Sequence, residues 1–136
     1  MRHLIGLLAG VFFFGMSCTS IKNDTTMIRY TDQNNNQYTI TKSLFEYVPI
    51  TKNNSSSGIY DGGAPATGTI TLAQFRELNK AATAVVNKAP ENAKREMLTS
   101  VLTIQTQGTT TTKIVRKSEE RSHLETLLIA LKKSFY

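Results

Sequence analysis

Side chains able to do acid–base, nucleophilic or metal chemistry are few in this sequence and are scattered along it. The chain has one cysteine, Cys18, and two histidines, His3 and His123. His123 lies beside leucines with helical spacing, where a histidine at the rim of a helix is far more common than a general base. Glu119 and Glu120 are adjacent, so on a helix they point to different faces, and a role near a helix start explains them better.

Metal and phosphate sites also lack their signatures. The sequence contains no HExxH, CxxC or DxDxDG run, and Asp61 stands alone in its segment, so we expect no metal site and no cofactor. Residues 63–68 have the glycine spacing of a phosphate-binding loop, but Thr69 follows where that motif requires lysine. The GxSxG motif of serine hydrolases is absent too. The sequence therefore predicts a protein that is not an enzyme.

The remaining candidate is a segment rich in glycine and serine, residues 55–63, within a long stretch that has no helix or strand pattern. Loops of such length in small domains are usually functional or disordered. Glycines let a backbone approach another surface closely, and an isoleucine next to a tyrosine offers an apolar contact with a polar end. The candidate binding residues are Ile59, Tyr60, Asp61, Gly62 and Gly63. In the alternative interpretation, Ile59 and Tyr60 tuck into the sheet and the glycines only permit turns.

The N-terminal segment has the pattern of an export signal. Arg2 precedes residues 4–16, which carry no charge and no strongly polar side chain. A membrane-spanning helix needs about 20 apolar residues, and this run is shorter. Its length matches the apolar region of a signal peptide. A buried strand or helix is the alternative, but no turn or cap flanks the run. The sequence predicts a signal peptide over residues 1–17, a polar tether over 18–26 and a single domain over 27–136.

The end of the apolar run, Gly15-Met16-Ser17-Cys18, resembles the lipobox of bacterial lipoproteins. In that family fatty acyl chains such as palmitate modify the cysteine, which becomes the mature N-terminus and anchors the protein. Gly15 departs from the family pattern, which usually has an aliphatic residue there, and Gly15 with Ser17 also fits ordinary signal-peptidase cleavage. Thr19, rather than Asp, follows the cysteine, which resembles lipoproteins sent to the outer membrane. The resemblance implies an envelope lipoprotein, facing the periplasm or the cell surface and bound to the membrane through Cys18.

The chain is basic, with a formal net charge of +6. Its basic residues are spread along the chain, and the densest group consists of Lys113, Arg116, Lys117 and Arg121. A nucleic-acid-binding face requires clustered bases with interleaved aromatic residues, so we expect no nucleic-acid partner. The charge pattern favours a solvated basic surface, with anionic lipid headgroups as the alternative contact.

The first part of the domain predicts a β-hairpin. Apolar and polar residues alternate over 27–32, an Asn-rich loop follows at 33–37, and the alternation resumes over 38–50. Phe45 and Tyr47 occupy the opposite face of the second strand, so we expect its C-terminal half to be covered on both sides.

A capping box marks the start of the first predicted helix. Thr71 can cap the helix and Gln74 follows three residues later, while Ile70 and Phe75 occupy the positions of a hydrophobic staple. We expect this helix to run to about Lys88. Its predicted apolar stripe consists of Leu72, Phe75, Leu78, Ala82, Val85 and Val86.

The last part of the chain predicts a second hairpin and a second helix. Pro90 ends the first helix and can start one more turn through Arg95. Residues 98–104 alternate, a Gln-Gly turn follows, and the β-branched run 111–117 returns as the next strand. Ser118 can then cap a helix. The apolar stripe of that helix consists of Leu124, Leu127, Leu128 and Leu131.

The predicted order β-β-α-β-β-α defines a two-layer α+β domain, with a mainly antiparallel sheet and both helices on one face. With few catalytic groups and the lipobox resemblance, we expect a non-enzymatic, membrane-anchored binding module for a protein or an envelope component. The alternative is an inhibitor of a secreted protease acting through residues 55–63. A strand, the double glycine and a leucine-bearing helix loosely resemble the emfourin-type inhibitors of thermolysin-like metalloproteases over part of the chain.

Overall fold

The computed structural model describes residues 26–136, so the predicted signal peptide and Cys18 lie outside the described residues. The elements of the described part are, in chain order, β1 (Met27–Thr31), β2 (Gln37–Ile40), β3 (Leu44–Val48), β4 (Ala66–Thr69), α1 (Leu72–Lys88), β5 (Ser100–Thr106), β6 (Thr109–Val115) and α2 (Glu119–Lys133). A single 3-10 turn, Lys52–Asn54, lies between β3 and β4.

The strands form one six-stranded sheet in the order β4-β3-β2-β1-β5-β6, and every neighbouring pair is antiparallel. The two helices pack against each other on one face of this sheet. The other face carries polar side chains such as Arg29, Glu46 and Thr67. The predicted α+β class and its two layers are therefore confirmed, with two more strands in the first half than the sequence pattern indicated. No helix in the described part of the chain is long and apolar enough to cross a membrane.

A turn divides the strand that was predicted over residues 38–50. At this turn the Thr41 N–H donates to the carbonyl of Leu44 at 2.9 Å, and the Leu44 N–H donates to the Thr41 hydroxyl at 3.1 Å. The turn changes which alternate residues face the core, so Phe45 is buried whereas Leu44 and Val48 are 44% and 47% exposed. The expectation that both faces are covered here was wrong.

Strand β4 lies within the segment that the sequence left without a pattern. It pairs with β3 so that Gly68 is opposite Phe45. A β-carbon on Gly68 would lie 2.1 Å from Cε1 of Phe135, and the ring of Phe135 stacks on Phe45 with centroids 5.6 Å apart. The glycine therefore leaves the space that the ring of Phe135 fills.

Helix α1 begins as predicted. The Gln74 N–H donates to the Thr71 hydroxyl and the Gln74 side chain accepts from the Thr71 N–H, which completes the capping box. Leu72 was wrongly assigned to the apolar stripe: it is 49% exposed, and Ala81 is buried instead.

No further helical turn follows Pro90, contrary to the expectation. Instead, Glu91 forms an isolated β-bridge with Val115, and the Asn92 N–H donates to the carbonyl of Ile114 at 2.8 Å. The segment after α1 thus extends the β6 edge of the sheet. Helix α2 begins as predicted, with the Ser118 hydroxyl accepting from the N–H of Arg121.

Candidate interaction site

The loop between β3 and β4 contains all five candidate binding residues, and one apolar side chain within it is largely exposed. Ile59 is 80% exposed and Tyr60 is 36% exposed. Ile59 is therefore not tucked into the sheet. The Asp61 carboxylate accepts from the Gly63 N–H at 2.9 Å, a local turn contact. Gly63 has a φ of +89°, a conformation that favours glycine.

Asn36, in the turn between β1 and β2, holds this loop in place. Its side chain is buried, and its Oδ1 accepts from the N–H of Ile50 at 3.1 Å. Its Nδ2 donates to the hydroxyl of Tyr60 and to a carboxylate oxygen of Asp32, both at 2.8 Å. One amide side chain therefore joins both arms of the loop to the neighbouring turn.

Gly62 is the point at which the loop meets the core. Its carbonyl accepts from the hydroxyl of Tyr47 at 2.6 Å, and its N–H donates to the carbonyl of Ile50 at 3.0 Å. A β-carbon here would lie 2.1 Å from Oδ1 of Asn36 and 2.7 Å from Cβ of Pro49. Close packing therefore requires the glycine.

The buried phenol that fixes Gly62 is a neutral donor. Burial raises the pKa of Tyr47 to about 12, and electrostatic repulsion from Tyr60 and Asp32 adds to this shift. The Lys132 ammonium lies 4.2 Å from the centroid of the Tyr47 ring, within cation–π range. Tyr136 also donates from its hydroxyl to the carbonyl of Ala64. The end of α2 and the residues after it thus contact Tyr47 and Ala64, and they support the loop at points that Asn36 does not contact.

A second polar centre lies on the helix side of the sheet, around Arg121. This residue was expected on a solvated basic surface, but it is only 2% exposed, so that prediction was wrong. Its guanidinium donates to Oε1 of Glu125 at 2.9 Å, to the carbonyl of Leu98 at 2.7 Å and to Oε1 of Gln33 at 3.1 Å. Spacing is the signal that could have revealed it, because Arg121 lies three residues before Leu124 on the apolar stripe.

Tyr30 completes this centre. Its hydroxyl donates to Oε1 of Glu125 at 2.5 Å, and burial together with this hydrogen bond raises the pKa of Tyr30. Burial lowers the pKa of Arg121, but hydrogen bonds and charge interactions with Glu125 and Tyr30 outweigh burial and raise it. Arg121 and Glu125 therefore form a hydrogen-bonded ion pair at neutral pH.

The other predicted chemical groups stay apart. His123 is exposed on α2. Within residues 26–136, no three His, Cys, Asp or Glu side chains lie close enough together to hold a metal ion. Lys113, a second member of the expected basic group, donates from its ammonium to the carbonyl of Val86 at 2.8 Å.

Comparison with known proteins gives no match to a protein-family model and no significant match to a curated protein or a solved structure. The classification of this protein therefore depends on its fold and on the geometry of the loop. This is a small two-layer α+β domain that carries a fixed, glycine-bearing loop with an exposed isoleucine.

Proposed function

We propose that this protein is a lipoprotein of the cell envelope, anchored in the outer membrane through an acylated Cys18, whose domain is a non-enzymatic binding module. Its partner is a protein or another envelope component, bound through residues 55–63. The exposed Ile59, on a loop held by hydrogen bonds from Asn36 and Tyr47, is the observation that carries the proposal. The apolar run before Cys18 and the scarcity of catalytic groups also support it.

A fixed loop suits binding for an energetic reason. Ordering a loop on association costs free energy, and this loop is already ordered by Asn36, Tyr47 and Tyr136. Burying an isoleucine side chain contributes about 1.5–3 kcal/mol. Little of that gain would be lost to ordering when Ile59 enters a pocket of the partner.

Cross-linking in the native envelope tests the loop. A photoreactive residue at Ile59 is the best probe, because the hydroxyl of Tyr60 is used to fix the loop. Arg76, exposed on α1, is the matched control position. We expect a discrete adduct from position 59 that is absent from position 76. Identical adducts from both positions, or none from either, would contradict binding through the loop.

Mass spectrometry of the mature N-terminus tests the anchor. We expect the first residue to be Cys18 with added acyl mass, and we expect Cys18→Ala to remove the protein from the membrane fraction. An unmodified mature N-terminus on a protein that still sediments with the membrane would show that another feature provides the attachment.

Inhibition of a secreted protease is the second candidate function. It is favoured by the same fixed loop, since a rigid exposed segment can occupy a protease cleft with little ordering cost. The purified protein should then inhibit a co-exported protease, and Ile59→Ala should weaken inhibition about 10- to 100-fold. Ser56→Ala, at an exposed position of the same loop, is the control. No inhibition at micromolar concentration against a panel of secreted proteases would rule this function out.

A further inference from the structure

A polar cleft separate from the loop lies between the β1–β2 turn and helix α2. Its volume is about 190 Å³. Its lining includes Tyr30, Gln33, Asn34, Tyr38, Glu125 and Ile129. Sites for drug-sized ligands have volumes of about 300–1,000 Å³, so this cleft suits one small ring. In liquid water the same volume would hold roughly six molecules.

Tyr38 provides an unused polar group in this cleft. Its side chain is 5% exposed, and its ring packs on Tyr47 with centroids 4.9 Å apart. Among residues 26–136 nothing forms a hydrogen bond with its hydroxyl, the oxygen is not sealed from solvent, and Tyr38 lines the cleft. Burial, followed by the charge of Asp32, raises the pKa of Tyr38, so this phenol stays neutral and can both donate and accept.

The charged groups around the cleft already have hydrogen-bond partners. Glu125 is neutralised by Arg121, and the Asp32 carboxylate accepts from two backbone N–H groups and the side chain of Asn36. Arg95 also donates to the carbonyl of Asp32 at 2.8 Å. An anionic ligand would therefore find no unpaired cation among the lining residues, and both carboxylates already accept hydrogen bonds.

The groups that remain for a ligand are mixed. Oε1 of Gln33 is taken by Arg121, which leaves its amide N–H₂ as a donor, and the Asn34 side chain offers a donor and an acceptor. Oε2 of Glu125 remains as an acceptor, since the hydrogen bonds from Tyr30 and Arg121 both go to Oε1. Ile129, 43% exposed, adds an apolar wall.

We propose that this cleft binds a neutral polyhydroxylated ring, the pyranose of a sugar. Each sugar hydroxyl both donates and accepts, which matches the mixed set of Tyr38, Gln33, Asn34 and Glu125, and the C–H face of the ring suits Ile129. The ring is either a free monosaccharide or one unit of an envelope glycan. The inference does not depend on the function proposed for residues 55–63.

NMR titration of the full mature chain in detergent tests the inference. The probes are glucose, N-acetylglucosamine and the tetrasaccharide of N-acetylglucosamine. We expect saturable shifts of the amides of Gln33, Asn34 and Glu125, with a Kd on the order of millimolar for at least one probe. Tighter binding of the tetrasaccharide supports a glycan source, and equal binding supports a free sugar.

Variants assign the binding to the cleft. Tyr38→Phe removes only an unpartnered hydroxyl and should weaken binding about 3- to 10-fold, the effect of one neutral hydrogen bond. Tyr136→Phe removes a phenol hydroxyl outside the cleft and should leave binding unchanged. Asn34→Ala is a second test within the cleft and should also weaken binding.

Three results would overturn the inference. One is the absence of saturable shifts at tens of millimolar of every sugar. Another is binding that neither Tyr38→Phe nor Asn34→Ala weakens. The last is tighter binding of methylammonium than of the sugars at the same residues, which would show a cation site instead.

Discussion

Arg121 occupies a position where the helix pattern calls for an apolar residue. A buried charge is costly unless it is paired and fully hydrogen-bonded, and here the guanidinium donates to Glu125 on its own helix and to residues of two connecting segments. Through Leu98 it fixes the segment that leads into β5, and through Gln33 it fixes the β1–β2 turn. One side chain on α2 thus sets the position of two connections.

Replacing this residue should therefore be costly. We expect Arg121→Met to lower the free energy of unfolding by about 3 kcal/mol, because the Glu125 carboxylate and two acceptors lose their partner. Glu125 is partly exposed, which places the value at the lower end of the usual range. Urea denaturation measures the change.

The matched control is Arg116→Met, at an exposed arginine near the start of the same helix. The double variant Arg121→Met/Glu125→Leu should recover part of the loss, since no unpaired carboxylate remains. A loss below about 1 kcal/mol for Arg121→Met would show that water replaces the guanidinium without cost.

The β1–β2 turn is the support for the candidate loop. Asn36→Ala should release the N–H of Ile50 and the hydroxyl of Tyr60, and the amides of Ile50 and Gly62 should then exchange with deuterium about 10-fold faster or more. Hydrogen exchange followed by NMR measures this directly.

Asn34→Ala is the control for the loop, because it makes the same change two residues away, where the Asn34 N–H donates to Asp32 and not to a residue of the loop. If Asn36→Ala leaves exchange at Ile50 and Gly62 unchanged, the loop is ordered by Tyr47 and Tyr136 alone.

The elements that the sequence predicted well are those with signals close together in the chain. The capping box at Thr71 and the serine cap at Ser118 fixed both helix starts, because each depends on residues within one turn. The division of the second strand escaped prediction, because the turn at Thr41 carries no glycine or proline and the apolar alternation continues past it.

Other features depend on contacts that sequence patterns do not show. Strand β4 is four residues long and has no alternation; it is defined by pairing with β3 and by the space that Gly68 leaves for Phe135. The loop could be singled out by its glycines, but the residue that fixes it, Asn36, lies in a different turn. The cleft likewise combines residues of that turn with residues of α2.

The β1–β2 turn also connects the two candidate sites. Asn36 on one side of it holds the loop, and Gln33 and Asn34 on the other side line the cleft. Asp32 contacts both groups, because its carboxylate accepts from the backbone of Asn34 and from the side chain of Asn36. A ligand in the cleft that orders this turn would therefore also stabilise the loop.

The aromatic core makes the stability of the whole domain sensitive to high pH. Burial is the largest cause of the raised pKa values of Tyr30, Tyr38 and Tyr47, whose ordinary value is 10.0. Below pH 10 these phenols are neutral in both states, so their contribution is fully present. Above pH 10 the unfolded chain releases their protons while the folded chain keeps them, so stability falls as pH rises.

We expect each of these phenols to add about 1.4 kcal/mol per pH unit to the fall above pH 10. Urea denaturation between pH 9 and 12 should therefore show a slope that Tyr38→Phe reduces by about 1.4 kcal/mol per pH unit. Tyr136→Phe, which removes an exposed phenol, provides the comparison. Lysine titration contributes equally to wild type and to both variants. If the slope of the unfolding free energy with pH is equal for wild type and Tyr38→Phe, the Tyr38 hydroxyl ionises as easily in the folded chain as in the unfolded one. The cleft would then contain an anion, rather than a neutral donor, at alkaline pH.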